Sequence, residues 1–344
     1  MKHLIPIFLI FISGCLSQAP NRTSSDGFRE VLIVYTGNLL AELKPCGCSK
    51  EEDQGGIERR MQYLKNTREE HPQILLVDTG DHFKEPTRQG KLKAETLLTA
   101  TEQMQYDAVA LGEHDLLYGS QFLQDRTEIP WLTGNLNIEH FKPDRARIKT
   151  FANGLKVGVL AIAEPSLFYD HFGLSIDNPK QTVLSQIASM REKEKPDLIV
   201  LLTHAERQTA LSYLDLKGID IIINGHIVNE SDVIDMKPVR KNGKIFVQSS
   251  PKGQKMGELR VHIEPDGQKS VKHAMVKLDS SVKFAPEMVE LYKEYNDKIE
   301  AIFFESLAGK RNNSKQAVYT GESVCKTCHQ AEHKVWSASR HGRA

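Results

Sequence analysis

The chain has little cysteine: five in 344 residues, at positions 15, 46, 48, 325 and 328. That excludes a disulfide framework pinning distant loops, and the last four fall into two close pairs, a pattern that suits cofactor ligation or redox work. Excess charge is also missing, since Lys+Arg and Asp+Glu number 45 each. Without an overall positive field there is no general means of recruiting nucleic acid or anionic lipid, and no nucleic-acid partner is expected. Long hydrophobic runs are absent too. The apolar segment from Leu4 to Ile12 is too short to cross a bilayer, which takes about 20 residues. No internal repeat or low-complexity tract occurs, which excludes a solenoid or a fibrous chain.

What is present begins with the first fifteen residues. Lys2, the apolar run and the small residues after it have the build of a secretory signal. Its end, Ile12-Ser13-Gly14-Cys15, resembles the lipobox of bacterial lipoproteins. That resemblance implies cleavage before Cys15, lipid on its thiol, and an exported protein anchored to a bacterial membrane, facing the periplasm or the outer membrane. Leu16, rather than Asp, fits outer-membrane sorting. Residues 16–27 are polar and turn-rich and read as a tether.

From residue 28 to 280, short β-branched runs alternate with helical periodicity. Strands are expected at 31–35, 74–77, 108–111, 157–162, 198–202, 219–223 and 244–248, and helices at 56–68, 91–104, 181–194 and 208–216. This alternation predicts an α/β domain with buried strands. Residues 257–264 and 271–278 read as two further strands. An amphipathic helix is expected over 284–308, carried by Met288, Leu291, Tyr292, Tyr295, Ile299 and Ile302, and a polar linker over 309–318.

Ligands in open α/β sheets bind at the carboxyl ends of strands. Four expected strands end in groups that bind metals. Asp78-Thr79-Gly80-Asp81, Gly112-Glu113-His114-Asp115, Thr203-His204 and Asn224-Gly225-His226 follow one another in chain order. Carboxylate oxygens and imidazole nitrogens converging on one point suit a divalent ion such as Zn, Mn or Fe.

This order of motifs resembles the calcineurin-like metallophosphoesterases, and within them the 5′-nucleotidases, from about residue 31 to 278. The resemblance implies a four-layer α/β/β/α sandwich, a two-metal centre and hydrolysis of a small-molecule ester. It makes Asp81, Glu113, His204 and His226 the ligands of one metal, with Glu113 where the family has Asn. It makes His114 and Asp115 a catalytic dyad donating toward the leaving group. The family's opening Thr-Asn-Asp-x-His motif is here Thr36-Gly37-Asn38-Leu39-Leu40, and its last motif is Gly225-His226-Ile227-Val228. The three departures, at Asn38, Leu40 and Val228, all belong to the other metal. One metal site is therefore expected to remain, with weak or altered hydrolysis. The base-stacking C-terminal domain of 5′-nucleotidases has no counterpart.

Pro45-Cys46-Gly47-Cys48 lies just after the altered first motif, and Gly55-Gly56-Ile57-Glu58-Arg59-Arg60 follows. Cys46 and Cys48 could hold a soft metal, exchange thiols, or form a plain local disulfide. Arg59 and Arg60 read as surface charges at a helix start, or as an anion contact. At residues 319–344, Cys325-Lys326-Thr327-Cys328-His329 is a C-x-x-C-H haem c attachment site, with thioethers at both cysteines and His329 on the iron. With Trp336 and Ser339-Arg340-His341, the segment resembles the cytochrome c554-type multihaem domain. That resemblance makes His341 an axial ligand and implies redox partner proteins; His333 reads as a surface residue. The chain ends fifteen residues after His329, too few to bury a haem, and the reading adopted is a short helical haem segment cut from a longer cytochrome.

Three functions follow: a metal-dependent hydrolase carrying haem, an electron-transfer lipoprotein with a non-catalytic phosphoesterase-like scaffold, or a sulfur-ester hydrolase-like redox protein.

Overall fold

The first apolar run, Val31 to Tyr35, has no polar face, so it can be stable only with both sides covered. The computed structural model describes residues 29–46, 53–168, 173–228, 237–313, 322–339 and 342, and it covers both sides of this strand. Val31, Ile33 and Tyr35 point into one buried cluster, and Leu32 and Val34 into another. Such period-two sorting is what a central strand does.

The chain opens with β1 (Arg29–Thr36), a small ladder of β2 (Pro45–Cys46) and β3 (Gln54–Gly55), and helix α1 (Ile57–Glu70). Next come β4 (Ile74–Asp78), α2 (Arg88–Met104), β5 (Ala108–Ala110), α3 (Ser120–Gln124), β6 (Trp131–Leu132) and β7 (Leu136–Ile138). The second half runs through β8 (Arg147–Thr150), β9 (Lys156–Ala163), β10 (Leu174–Ile176), α4 (Pro179–Lys193), β11 (Leu198–His204) and α5 (Arg207–Ser212). It continues with β12 (Ile221–Asn224), β13 (Val239–Lys241) and β14 (Lys244–Gln248), after which β15 (Lys255–Ile263) and β16 (Lys269–Lys277) return to the first sheet. Helices α6 (Pro286–Asn313), α7 (Glu322–Cys328) and α8 (Gln330–Ala338) complete the order.

Two six-stranded mixed sheets result, in the orders β16-β15-β1-β4-β5-β6 and β13-β14-β12-β11-β9-β8. Their facing sides share a core that includes Ile33, Val77, Val159, Val200 and Ile223. The outer face of the first sheet is covered by α1, α2 and α6 through Leu64, Leu97 and Met288. The outer face of the second is covered by α4 and α5 through Val183, Ile187 and Ala210. Helices therefore flank a pair of mixed sheets, giving the expected four layers. In both sheets the central strands are parallel, so their carboxyl ends gather at one edge of the sandwich.

Every main strand expected from the apolar runs is present. The short strands β6, β7, β8, β10 and β13 were not expected, because two to four residues are too few to show a period. Helix α6 runs on through Asn313, so 309–313 is helix rather than linker; Lys, Arg and Asn bring nothing that stops a helix. Arg59 and Arg60, read as surface charges, are buried at 4% and 0% exposure. Arg59 bonds the Asp53 carboxylate (2.9 Å) and lies over the Phe284 ring, helping dock α6 on α1.

Candidate metal centre

The loop after β4 turns sharply. Gly80 has φ 89°, and Asp81 itself takes φ 62°, a left-handed conformation that a non-glycine residue enters at a cost of about 1–2 kcal/mol. The segment of the altered first motif lies against this loop. The amides of Asn38, Leu40 and Ala41 donate to the carbonyls of Gly80 (2.7 Å), Asp81 (3.0 Å) and His82 (2.6 Å). Asn38, Leu40 and Ala41 are left-handed too, at φ 53°, 50° and 55°. This segment meets the Asp81 loop through its backbone.

Glu113 and His114 stand on a tight turn, Glu113–Leu116, directly after β5. Gly112 before them touches the next layer of the site. A Cβ there would fall 2.3 Å from Asp81 Oδ1 and 2.7 Å from His204 Cε1. His204 closes β11 with its ring fully buried, and its Nδ1 lies 2.9 Å from the Thr79 carbonyl. That contact makes Nδ1 the donor and leaves Nε2 facing the cluster. His204 Nε2 is 2.7 Å from Glu113 Oε2 and 3.4 Å from Asp81 Oδ2. His226, two residues past β12, brings Nδ1 to 3.1 Å from Glu113 Oε1.

The fold thus brings Asp81, Glu113, His204 and His226 together, with one ligand atom from each lying within 4.8 Å of the others. Glu113 Oε2, His204 Nε2 and His226 Nδ1 are buried, yet none has a hydrogen bond of good geometry. Groups this close with lone pairs aimed past one another converge on a shared centre, and a divalent ion fits that donor set. Charge agrees with this geometry. Burial pushes Asp81 up, but His204 and His114 outweigh it and hold the carboxyl well below its usual range. Burial likewise raises Glu113, and its contacts to His204 and His226 bring it down to about 2. Burial lowers His204, and the two carboxylates outweigh that and raise it well above an ordinary histidine.

The expected His114–Asp115 dyad does not form. His114 Nδ1 faces Asp81 Oδ2 at 3.0 Å, with the ring 38% exposed at the rim. That Asp81 contact is the main reason its pKa is raised. Asp115 is fully buried and turned the other way. Its Oδ2 accepts from the amides of Asp81 (2.9 Å) and Gly112 (2.8 Å), and its Oδ1 from the amide of His82 (2.8 Å). Adjacent residues of a helical turn do not face each other, so the two side chains diverge. Sequence reading also passed over His82, wholly buried with Nδ1 3.0 Å from Asp115 Oδ1. A lone histidine next to a ligand gives no periodic signal that would have revealed it.

At the other end, Cys325 and Cys328 are free and exposed on α7, and His329 sits at the start of α8. Glu322, Cys325, His329, Glu332, His333 and Trp336 line a largely apolar hollow of about 320 Å³. His333 is not a free surface residue: its ring packs on Trp336 and its Nε2 lies 2.7 Å from Glu322 Oε2. The backbone of Cys46 pairs with Gln54 in the β2–β3 ladder. Cys15, Cys48 and His341 lie outside the described residues.

No protein-family profile matches the chain. Among curated proteins it is 23% identical over 353 residues to a 5′-nucleotidase of Vibrio vulnificus, covering 84% of this chain and 62% of that one. It is 22% identical over 325 residues to the trifunctional nucleotide phosphoesterase YfkN of Bacillus subtilis, covering 80% of this chain and 21% of the relative. Among solved structures, the 5′-nucleotidase precursor of Thermus thermophilus superposes with a TM-score of 0.69 at 17% identity, over 80% of this chain and 60% of that one. The chain has the metallophosphoesterase fold. Its body is similar to these 5′-nucleotidases in sequence as well as in fold. It spans only about a fifth to three-fifths of these relatives, so the phosphoesterase fold is what the likeness establishes.

Proposed function

We propose that the protein is an exported, metal-dependent hydrolase of the metallophosphoesterase type that acts on a small-molecule ester and also carries covalent haem c. One divalent ion, Zn, Mn or Fe, would be held by Asp81, Glu113, His204 and His226. The observation that carries this reading is the set of three buried donor atoms, on Glu113, His204 and His226, that lack good hydrogen bonds while converging with Asp81. An ion bound there supplies Lewis acidity toward an ester oxygen and acidifies water. Glu113 and Asp81 together carry the two negative charges that balance a single divalent ion, which supports a mononuclear site. The Thr79 carbonyl holds the His204 ring with Nε2 turned toward the cluster, where it would serve as a ligand. His114, at the rim beside Asp81, is placed to give a proton to a leaving oxygen. Among the described residues, Asn38, Leu40 and Val228 offer no second set of ligands, which supports slow or altered turnover.

Metal analysis of the purified full chain tests this reading. About one equivalent of metal per chain is expected, lost in His204→Ala, together with weak hydrolysis of p-nitrophenyl phosphate or a 5′-nucleotide. A chain without metal overturns the reading. Metal without hydrolysis of any ester replaces it with a non-catalytic scaffold in an electron-transfer protein.

Haem c is favoured by two free, exposed thiols three residues apart on one helix, with His329 following and an apolar hollow beside them. His341 would be an axial ligand, and redox proteins would exchange electrons with the haem. Lipid on Cys15 would keep both activities at the membrane. A haem stain on the protein made with maturation machinery should be positive and lost in Cys325→Ala/Cys328→Ala; a haem-free chain sinks this part.

A further inference from the structure

Beneath the metal site lies a string of buried groups that the proposed chemistry does not use. His82 is wholly buried between two carboxylates from different loops. Its Nδ1 lies 3.0 Å from Asp115 Oδ1, and its Nε2, buried without a hydrogen bond of good geometry, lies 3.4 Å from Asp78 Oδ1 at the end of β4. Trp131 meets the ring edge-on at 5.7 Å and limits its motion. Asp78 accepts from Thr36 Oγ1 (2.5 Å) and the Gly80 amide (2.8 Å), and Thr36 Oγ1 lies 2.9 Å from the Tyr106 hydroxyl. Arg60 is fully buried beside Tyr106, and its positive charge acts on that hydroxyl at the end of the string.

The string ends on the backbone of the ligand loops. The Asp115 carboxylate accepts amides from Asp81 and His82 on one loop and from Gly112 on the other. These are the loops that carry Asp81 and Glu113. Three backbone amides already orient this carboxylate through both of its oxygens. The His82 ring adds a side-chain contact to Asp115 Oδ1 and lies against Asp78 on its other side, so it ties both ligand loops to the end of β4. Metal ligands tolerate little displacement, and groups that orient them from behind typically change affinity 10- to 100-fold when removed.

We propose that His82 is the positioning residue of the metal centre: a strut between Asp78 and Asp115 that sets the Asp81 loop against the Glu113 loop. The inference rests on the metal-site reading above.

The test measures Zn²⁺ affinity of the full chain by competition with a chromophoric chelator, the Co²⁺-loaded visible spectrum, and the Tm of the metal-free protein. His82→Asn can still donate to Asp115 and cannot reach Asp78. His82→Phe removes both contacts, and Asp78→Asn/His82→Phe also removes the buried negative charge that would have lost its histidine neighbour. The double variant recovers most of the metal-free Tm lost in His82→Phe. Zn²⁺ binding is nonetheless weakened at least about tenfold in the double variant, with a changed Co²⁺ spectrum, and by less in His82→Asn. Wild-type Zn²⁺ affinity, within about twofold, together with an unchanged Co²⁺ spectrum in whichever variants fold, overturns the proposal and leaves His82 a stability residue. A wild-type chain that takes up no Zn²⁺, Mn²⁺ or Fe²⁺ fails differently, because it removes the metal reading itself.

Discussion

Single atoms decide how the site works. Gly112 is in extended backbone (φ −104°), where any residue is allowed, so only space demands glycine there. Gly112→Ala would drive its methyl into Asp81 and His204. The expected loss is about 1–3 kcal/mol of stability together with a fall in metal content, read by thermal unfolding and metal analysis. A second consequence concerns pH. Burial pushes His82 down, and Asp115 and Asp78 outweigh it and raise its pKa to about 9. A histidine raised in the fold stabilises it fully below its unfolded value, about 6.5, and loses that contribution as pH rises through its folded value. The Tm of the metal-free protein should therefore decline between about pH 6.5 and pH 9 and beyond. A flat profile over that window would mean that the ring is neutral. The raised His204 acts on metal uptake in the opposite sense: its proton must leave before an ion binds, so affinity increases with pH.

At the scale of elements, the segment 36–41 is fastened by its backbone to the loop that carries Asp81. Asn38, Leu40 and Ala41 hold left-handed conformations supported by their hydrogen bonds to residues 80–82 and by the Lys252 amide on the Asn38 carbonyl. A side chain can be exchanged without disturbing such backbone contacts. Asn38→Asp/Leu40→His/Val228→His should accordingly raise bound Mn²⁺ from about one to about two equivalents, with a gain in ester hydrolysis. A variant that stays at one equivalent would show that the loop no longer aims these positions at the site. Most of this organisation was legible beforehand. Strands with two apolar faces appear as continuous runs, and their carboxyl ends had to carry the ligands. The partner of Asp115 was not legible, because backbone amides have no sequence signature and any residue type can supply one.

For the whole molecule, the sandwich and the C-terminal helices bear on different questions. Among the described residues, none beyond Tyr295 belongs to the buried core. The three apolar clusters are therefore complete without α7 and α8. A chain ended at Asn313 should keep its Tm within about 2 °C and its metal content, measured by calorimetry and metal analysis. A large loss would show that α7 and α8 pack on the sandwich. No helix among the described residues is long and apolar enough to cross a membrane.

The sequence by itself determined which segments become buried strands and the order in which metal-binding groups leave them. Those properties are local: hydrophobic periodicity and residue type at a strand end do not depend on distant parts of the chain. Tertiary structure alone decided that Asp115 fastens backbone instead of pairing with His114, that His82 bridges two carboxylates, and that Arg59 and Arg60 lie inside. Each depends on groups distant in the chain meeting in a water-poor interior, where a charge takes whatever partner the fold provides.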